Sequence, residues 1–573
     1  MVNGDTETAT ERFGLFWPGK SKAQAVAQIP TSATLIPAPE ESIDWDNTKN
    51  IYIEGDNLEV LKALQNSYRR KIKMIYIDPP YNTGKEFIYP DNYQEGLQTY
   101  LEYTGQKNEA GEVTESKKET GGRKHTNWLN MMYPRLQLAK SLLADDGVIF
   151  ISIDDNEQAN LRKLSDEVFG EQNFVACFVQ KSRGGISNDK LVSENHNYII
   201  MYSKNYEFIH KKRNLFGILR SEIDFKNYNK NDNDGKGFYA LNPVSGPGGA
   251  RKGNPFYRIL DVEGYWRYGK EKMLELIKIG KVIKINNSLY QKTYKNVLVG
   301  TKKGASTWLN DVGTTANGSQ EIKNLFENII FDFPKPVGLI KFLLNFIDKG
   351  DNDVILDFFS GSATTAHAVM QLNAEDGGNR THIQVQLPEP TDEKSEAYKA
   401  GYKTISDIGK ERIRRAGKKI LTDYAGKLKE RKKSLDVGFR VYKLAPSNFV
   451  EWNEEKAKEN IQQSILDFAE NKKSDASPEA LLAEIMLQSK ITLDAKIEKK
   501  NLSNGGWVYM VDDGNLVAYV DDKQITEDQA KEIANMGPAK LVVVDSAFNG
   551  NDALKINIAN ICKEKFIKEF KTI

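Results

Sequence analysis

The chain has 573 residues, a formal net charge of +1, and 39% hydrophobic against 28% charged residues. That length exceeds what one hydrophobic core organises, so three or four domains are expected, with the composition of an ordinary globular protein. Only Cys177 and Cys562 are present, far apart, and no apolar run approaches the roughly 20 residues that cross a bilayer, which excludes a disulfide framework, a cysteine zinc site and a membrane helix.

In chain order, residues 1–50 read as an irregular arm containing Trp17-Pro18-Gly19-Lys20. Alternation of strand and helix begins at Ile51: a strand Ile51-Tyr52-Ile53, a helix from Asn57 to about Tyr68, and an apolar strand Met74-Ile75-Tyr76-Ile77. Gln94 to Thr126 is polar and glycine-punctuated and reads as a loop. A helix is expected from Trp128 to Ala144, then a strand Val148-Ile149-Phe150-Ile151-Ser152-Ile153 ending in Asp154-Asp155. Such alternation implies a parallel sheet covered by helices on both faces.

Between Lys204 and Lys303 the balance changes, with 21 Lys and Arg against 9 Asp and Glu, so the charge of a nearly neutral chain is segregated. Aromatics are interleaved in Phe256-Tyr257-Arg258 and Tyr265-Trp266-Arg267-Tyr268, and the glycine-rich Ser245–Gly253 stretch ends near two cations, Arg251 and Lys252. A basic, aromatic insert in an otherwise acidic chain is the pattern of a module that contacts a phosphate backbone. Phe333-Pro334-Lys335-Pro336 then opens a helix over Val337–Ile347, with Leu339, Phe342, Leu343 and Phe346 on one face. After a strand Ile383–Leu387, a charged helical stretch runs from Ala400 to Lys433, and a final small α/β region starts near Gly438, with strands at Val517–Val520 and Leu541–Asp545.

Two segments carry the chemistry. Asp78-Pro79-Pro80-Tyr81 closes the strand that ends at Ile77, and ligands of open α/β sheets bind beyond the carboxyl ends of strands. The prolines lack N–H donors and fix φ, leaving the carbonyls of Asp78 and Pro79 to accept from a planar amine, while Tyr81 can stack on its ring. Val354–Asp357 reads as a buried strand, followed by the small-residue loop Phe358-Phe359-Ser360-Gly361-Ser362-Ala363 and a helix. Small residues let the backbone approach a ligand, and the helix amino terminus offers N–H groups to an anion. Glu389, after the next strand, stands where a Rossmann-like fold holds ribose hydroxyls. The five histidines share no metal-like spacing, and a structural role is expected for each, with no metal site.

Together these segments resemble the S-adenosylmethionine-dependent amino-methyltransferases of DNA, in the permuted order of their beta class, catalytic segment first. Glu54-Gly55-Asp56-Asn57-Leu58, Tyr81-Asn82-Thr83-Gly84, Phe87–Tyr93 and Trp128–Leu136 narrow the likeness to the modification subunit of type III restriction–modification systems. Many relatives have glycine where this chain has Ala363. The resemblance implies a Rossmann-like methyltransferase fold with an inserted target-recognition domain and a small carboxyl-terminal α/β domain. The expected divisions are an arm (1–50), a catalytic half (51–203), a DNA-reading insert (204–330), a cofactor half (331–435) and an assembly domain (436–573).

It also implies S-adenosylmethionine as cofactor, with Asp78, Pro79, Pro80 and Tyr81 catalytic and Asp56, Asp78, Lys335, Asp357, Phe359, Ser360, Gly361, Ser362 and Glu389 around the cofactor. The implied activity is methylation of adenine N6 in a base flipped from double-stranded DNA. Cytosine N4, or service mainly as a DNA-recognition subunit, are the alternatives. Implied partners are a second copy, forming a homodimer, and a helicase–nuclease restriction subunit, since this chain has no GxxxxGK[ST] loop of its own. A cytoplasmic location without membrane attachment is expected.

Overall fold

The strand before Asp78 lies at the centre of a ten-stranded mixed sheet in the computed structural model, which describes residues 14–83, 121–186, 191–347, 350, 352–449, 473, 476–521 and 523–573. The sheet strands are β1 (Ala33–Pro37), β2 (Ile51–Glu54), β3 (Ile72–Ile77), β4 (Leu143–Ile153), β5 (Phe174–Lys181), β6 (His196–Ser203), β7 (Trp308–Leu309), β8 (Val354–Asp357), β9 (Thr381–Gln386) and β10 (Arg440–Pro446). Their order is β1-β10-β2-β9-β8-β3-β4-β6-β5-β7. All six residues of β3 are buried, as a strand covered on both faces requires. Lys73 is accommodated there by an ion pair to Asp146 at 2.7 Å.

One face is covered by α1 (Asn57–Tyr68), α2 (Gly121–Leu142) and α3 (Gln158–Phe169), through Leu61, Leu64, Met132, Leu136 and Leu161. Two more helices are α4 (Thr315–Phe326) and α5 (Val337–Phe346). On the other face α6 (Thr364–Asp376) and α7 (Ile405–Asp423) pack Met370, Ile413 and Ala416 against Tyr52 and Val441. Parallel pairing of β8 with β3 on one side and with β9 on the other brings the carboxyl ends of all three strands to one edge.

Four details differ from expectation. The arm is not irregular: Lys20–Val26 is helical and β1 pairs antiparallel with β10, burying Leu35. The sheet is mixed rather than parallel, because β1 runs antiparallel to β10, and β6 runs antiparallel to both β4 and β5. Helix α2 starts at Gly121, seven residues before Trp128, and part of the expected loop lies outside the described residues, as does Phe87–Tyr93. Arg440–Pro446, placed by sequence in the last region, is a strand of the main sheet.

The carboxyl-terminal part forms a separate five-stranded sheet around Leu516–Tyr519 and Lys540–Val543 with its own core, including Val508, Ile533 and Phe548. The chain divides into two units, the smaller comprising Lys212–Ala305 and Asn345–Asp348. Within it a three-stranded antiparallel sheet and the hairpin Phe256–Ile259/Val262–Tyr265 enclose a small core around Trp266, Met273 and Leu289. Among the described residues, no helix is long and apolar enough to cross a membrane, and no group of three or more His, Cys, Asp or Glu is placed to hold a metal ion.

Candidate active site

Asp78 leaves the end of β3 with its carboxylate shared between two partners. Lys335 Nζ lies 2.6 Å from Oδ2, and the Tyr81 hydroxyl donates to Oδ1 at 2.9 Å. The same ammonium sits 4.9 Å from the centre of the Tyr81 ring. A carboxylate has about four acceptor positions, so Asp78 keeps capacity for an incoming donor. Burial, reinforced by the Asp78 charge, holds the Tyr81 phenol well above its ordinary range, so it stays a neutral donor. Trp128 Nε1 donates to the Pro80 carbonyl at 2.7 Å, whereas no donor meets the carbonyls of Asp78 or Pro79 among the described residues.

The loop after β8 turns sharply into α6. Gly361 has φ +49° and Ala363 φ +60°, both left-handed. Ala363 thus holds a conformation that glycine adopts without strain and that a Cβ makes costlier, so the turn is kept despite the extra methyl. The Gly361 N–H is held by Gln386 Oε1 at 2.7 Å, and the Ser360 N–H by the Val385 carbonyl at 3.1 Å. Ser360 Oγ is buried with no partner among the described residues, and Gly361 carries no side chain into the turn. An orphaned hydroxyl beside bare backbone fits a small polar ligand laid against the loop.

The Asp78–Tyr81 segment and this loop, 279 positions apart from Asp78 to Asp357 in the sequence, meet through Lys335. Its side chain pairs with Asp78, and its carbonyl accepts the Thr364 hydroxyl at 3.3 Å. Lys335, expected among the residues around the cofactor, is engaged with Asp78 here. Asp56 is also engaged internally: it caps α1 through the N–H groups of Leu58 and Glu59 and lies 3.3 Å from Arg135. Glu389 follows β9 half-buried, its carbonyl accepting the Ile405 N–H at 2.9 Å. Ser362 Oγ accepts from Arg412 Nη1 at 2.8 Å, and Phe359 is buried with its N–H on Asp357.

Two buried arginines were missed. Arg135 donates to Asn57 Oδ1 at 2.6 Å, and Asn57 Nδ2 donates to the Phe358 carbonyl at 2.6 Å, so the β2–α1 turn and the loop after β8 are tied to α2. Arg412 reaches Ser362 and Thr364 from α7. Its signal was its phase: Arg412 falls on the helical face of Ile408, Ile413 and Ala416, inside a run that otherwise reads as a solvated charged helix.

Burial pushes the Asp357 carboxyl up to about 7, opposed by donation from Thr365 and the Phe359 N–H and reinforced by the Asp78 charge. A carboxyl whose value is raised on folding keeps its proton longer in the folded state, so stability falls as pH rises towards 7 and levels off above it. Between pH 6 and 8 this group alone costs about 1.4 kcal/mol. Asp357→Asn, which resembles the protonated form, is expected to flatten that part of the pH dependence, read by denaturant unfolding of both proteins at pH 6, 7 and 8.

The geometry agrees with comparisons to known proteins. A family model described as DNA methylase matches residues 72–383, from the start of β3 into β9. The StyLTI Mod subunit of a type III restriction–modification enzyme from Salmonella typhimurium is 36% identical over 456 residues, covering 76% of this chain and 67% of that protein. The EcoPI Mod subunit of Escherichia phage P1 is 36% identical over 74% of this chain and 71% of its own length. The EcoP15I Mod subunit of Escherichia coli is 34% identical over 77% and 72%. With Asp78 and the Phe358–Ala363 loop joined at one sheet edge and likeness of this extent, the chain belongs to the DNA methylases and, among them, to the Mod subunits of type III restriction–modification enzymes.

Proposed function

We propose that this chain methylates the exocyclic N6 of an adenine turned out of duplex DNA, using S-adenosylmethionine held by the Phe359–Ser362 loop. The observation that carries this reading is the 2.6 Å pairing of Asp78 with Lys335, whose carbonyl is bonded in turn to Thr364 of the cofactor loop. Phe359, Ser360, Gly361 and Ser362 would hold the cofactor, with Asp357 and Asp56 supporting the loop and Glu389 on the ribose side. When bound, S-adenosylmethionine supplies a methyl group already activated by its sulfonium.

The chain's own residues then prepare the acceptor. The amino group of adenine is a poor nucleophile while its lone pair is delocalised into the ring. Asp78 and the carbonyls of Asp78 and Pro79 accept its two hydrogens and draw the nitrogen towards a tetrahedral state, while Tyr81 stacks on the base. Asp78 or water takes the proton released. Lys335, 2.6 Å away, fixes the direction of the Asp78 carboxylate as a hydrogen-bond acceptor. Extrusion of the base costs a few kcal/mol of unstacking, which protein–DNA contacts must offset.

Those contacts are assigned to the Lys212–Ala305 unit. It carries the charge excess, exposed Arg251 and Lys252, and an exposed ring pair, Phe256 and Tyr265, with centroids 4.8 Å apart. Arg251→Ala with Lys252→Ala is expected to weaken DNA binding and to lower the slope of log affinity against log salt by about one to two. An unchanged slope would remove this loop from the interface.

The names of the relatives as subunits support assembly with a helicase–nuclease partner. A homodimer is proposed alongside it through the carboxyl-terminal domain, which contributes none of the reacting residues, with action in the cytoplasm. Light scattering of the purified chain, alone and with such a partner, tests the stoichiometry. Sequencing of DNA from cells expressing the chain tests the reaction: N6-methyladenine at a fixed motif is expected, and N4-methylcytosine in its place would exchange the target base.

A further inference from the structure

We propose that Glu157 is a positioning residue for methyl transfer, acting on the catalytic segment through Asn82. The inference rests on Asp78–Tyr81 being the reacting segment. Asn82 follows Tyr81 directly, is buried, and has φ +61°, a left-handed conformation that asparagine tolerates better than most side chains. Its side-chain nitrogen donates to Glu157 Oε1 and, at 3.2 Å, to the Lys124 carbonyl. The same Oε1 lies 2.6 Å from His125 Nδ1, and Oε2 accepts from Asn160 Nδ2 at 2.7 Å.

One fully buried carboxylate therefore gathers donors from three places: the exit of β3, the first part of α2 and the first turn of α3. Asn82 and His125, 43 positions apart, meet only at this group among the described contacts. Glu157 stands at the amino terminus of α3, where the unpaired N–H groups favour an anion. Burying a carboxylate costs solvation, and here three donors offset it. Apolar packing would stabilise the same junction more simply, but it would not fix the direction of the Asn82 amide.

That direction matters because of what lies one residue away. Pro80 is held from α2 by Trp128, and Tyr81 bonds Asp78, so the short run Pro80–Asn82 is fastened on either side of the ring that is to stack on the base. Without Glu157, Asn82 keeps only the longer bond to the Lys124 carbonyl, its amide is no longer held in one direction, and the fixed relation of Tyr81 to Asp78 is loosened. The cofactor loop is held by other partners, Gln386, Asn57 and Arg412. Turnover and cofactor affinity should therefore separate.

The test compares Glu157→Leu, Glu157→Gln and Asn82→Gly in the full-length chain, with unmethylated genomic DNA as substrate and calorimetry for S-adenosylmethionine. Asn82→Gly keeps the left-handed backbone accessible and removes only the amide. Glu157→Leu and Asn82→Gly are each expected to lower kcat at least about tenfold with cofactor Kd changed less than about twofold. Glu157→Gln, which still offers Asn82 an acceptor oxygen, should recover to within about threefold of wild type. The Leu/Gly double variant should lose little more than either single one. Wild-type turnover in either single variant, failure of Glu157→Gln to recover, or fully multiplicative losses in the double would each overturn the assignment. Asp78→Ala, measured beside them, reports on the reacting segment itself, so the two readings fail in different variants.

Discussion

Asp78→Ala is expected to reduce methyl transfer by at least about a thousandfold while S-adenosylmethionine affinity stays within a few-fold of wild type. Removing a preorganised polar group that touches the reacting atoms costs about a hundred- to a thousandfold, and loss of a proton acceptor compounds it. Here the loss is greater still, because Asp78 organises its neighbours. Lys335 would lose the anion 2.6 Å away and Tyr81 the acceptor of its hydroxyl, so both the ammonium and the stacking ring would be free to turn.

Asp78→Asn separates these effects: it keeps an acceptor for Tyr81 and abolishes the charge facing Lys335. An intermediate rate for Asn would mean that geometry contributes beyond charge, and equal rates would assign the whole effect to charge. Quench-flow with labelled cofactor reads the chemical step, and equilibrium dialysis reads affinity. Substantial transfer by Asp78→Ala would sink the assigned role.

The strands, turn and helix around the candidate site were legible where the signal is local. An apolar run stopped by Asp-Pro-Pro gave β3 and its exit, and a strand followed by small residues gave β8, the turn and α6. The start of β3 was misjudged because Lys73 reads as solvent-exposed, and only the distant Asp146 explains its burial. The edge strand Ala33–Pro37 was hidden for a similar reason. Its partner Arg440–Pro446 lies about 400 residues away, and a five-residue run closed by proline carries little propensity of its own.

Helix α2 shows the opposite failure. Gly121 and Gly122 read as loop, yet both lie within the helix, whereas the expected helix from Trp128 onward runs through Pro134 as observed. Residue types at the site were thus foreseeable, whereas partners were not. Asp56 and Lys335 were picked as ligand-facing charges, and each has a protein counter-charge that no sequence window contains. Arg412 was signalled by its helical phase, whereas the burial of Glu157 comes from three-dimensional neighbours alone.

Gly361→Val is the second large effect, and it should fall on cofactor affinity, with S-adenosylmethionine Kd rising at least about tenfold, a loss of about 1.4 kcal/mol. Two causes add. Gly361 has φ +49°, where a β-branched residue is strained by about 1–3 kcal/mol. A Cβ at this position would also stand 3.2 Å from Phe331 Cζ, closer than an ordinary contact, so the ring must give way or the loop must open. The second cause remains for alanine while the branching penalty is absent, so Gly361→Ala should weaken binding less than valine. Ala363 at φ +60° shows that a single methyl is tolerated in a left-handed position of the same turn. Because β8, α6 and the N–H bond to Gln386 hold the frame, the melting temperature of Gly361→Ala should move little while its Kd moves measurably. Titration calorimetry beside thermal unfolding separates the two, and wild-type affinity in Gly361→Val would reject the Phe359–Ser362 turn as the place where the cofactor lies.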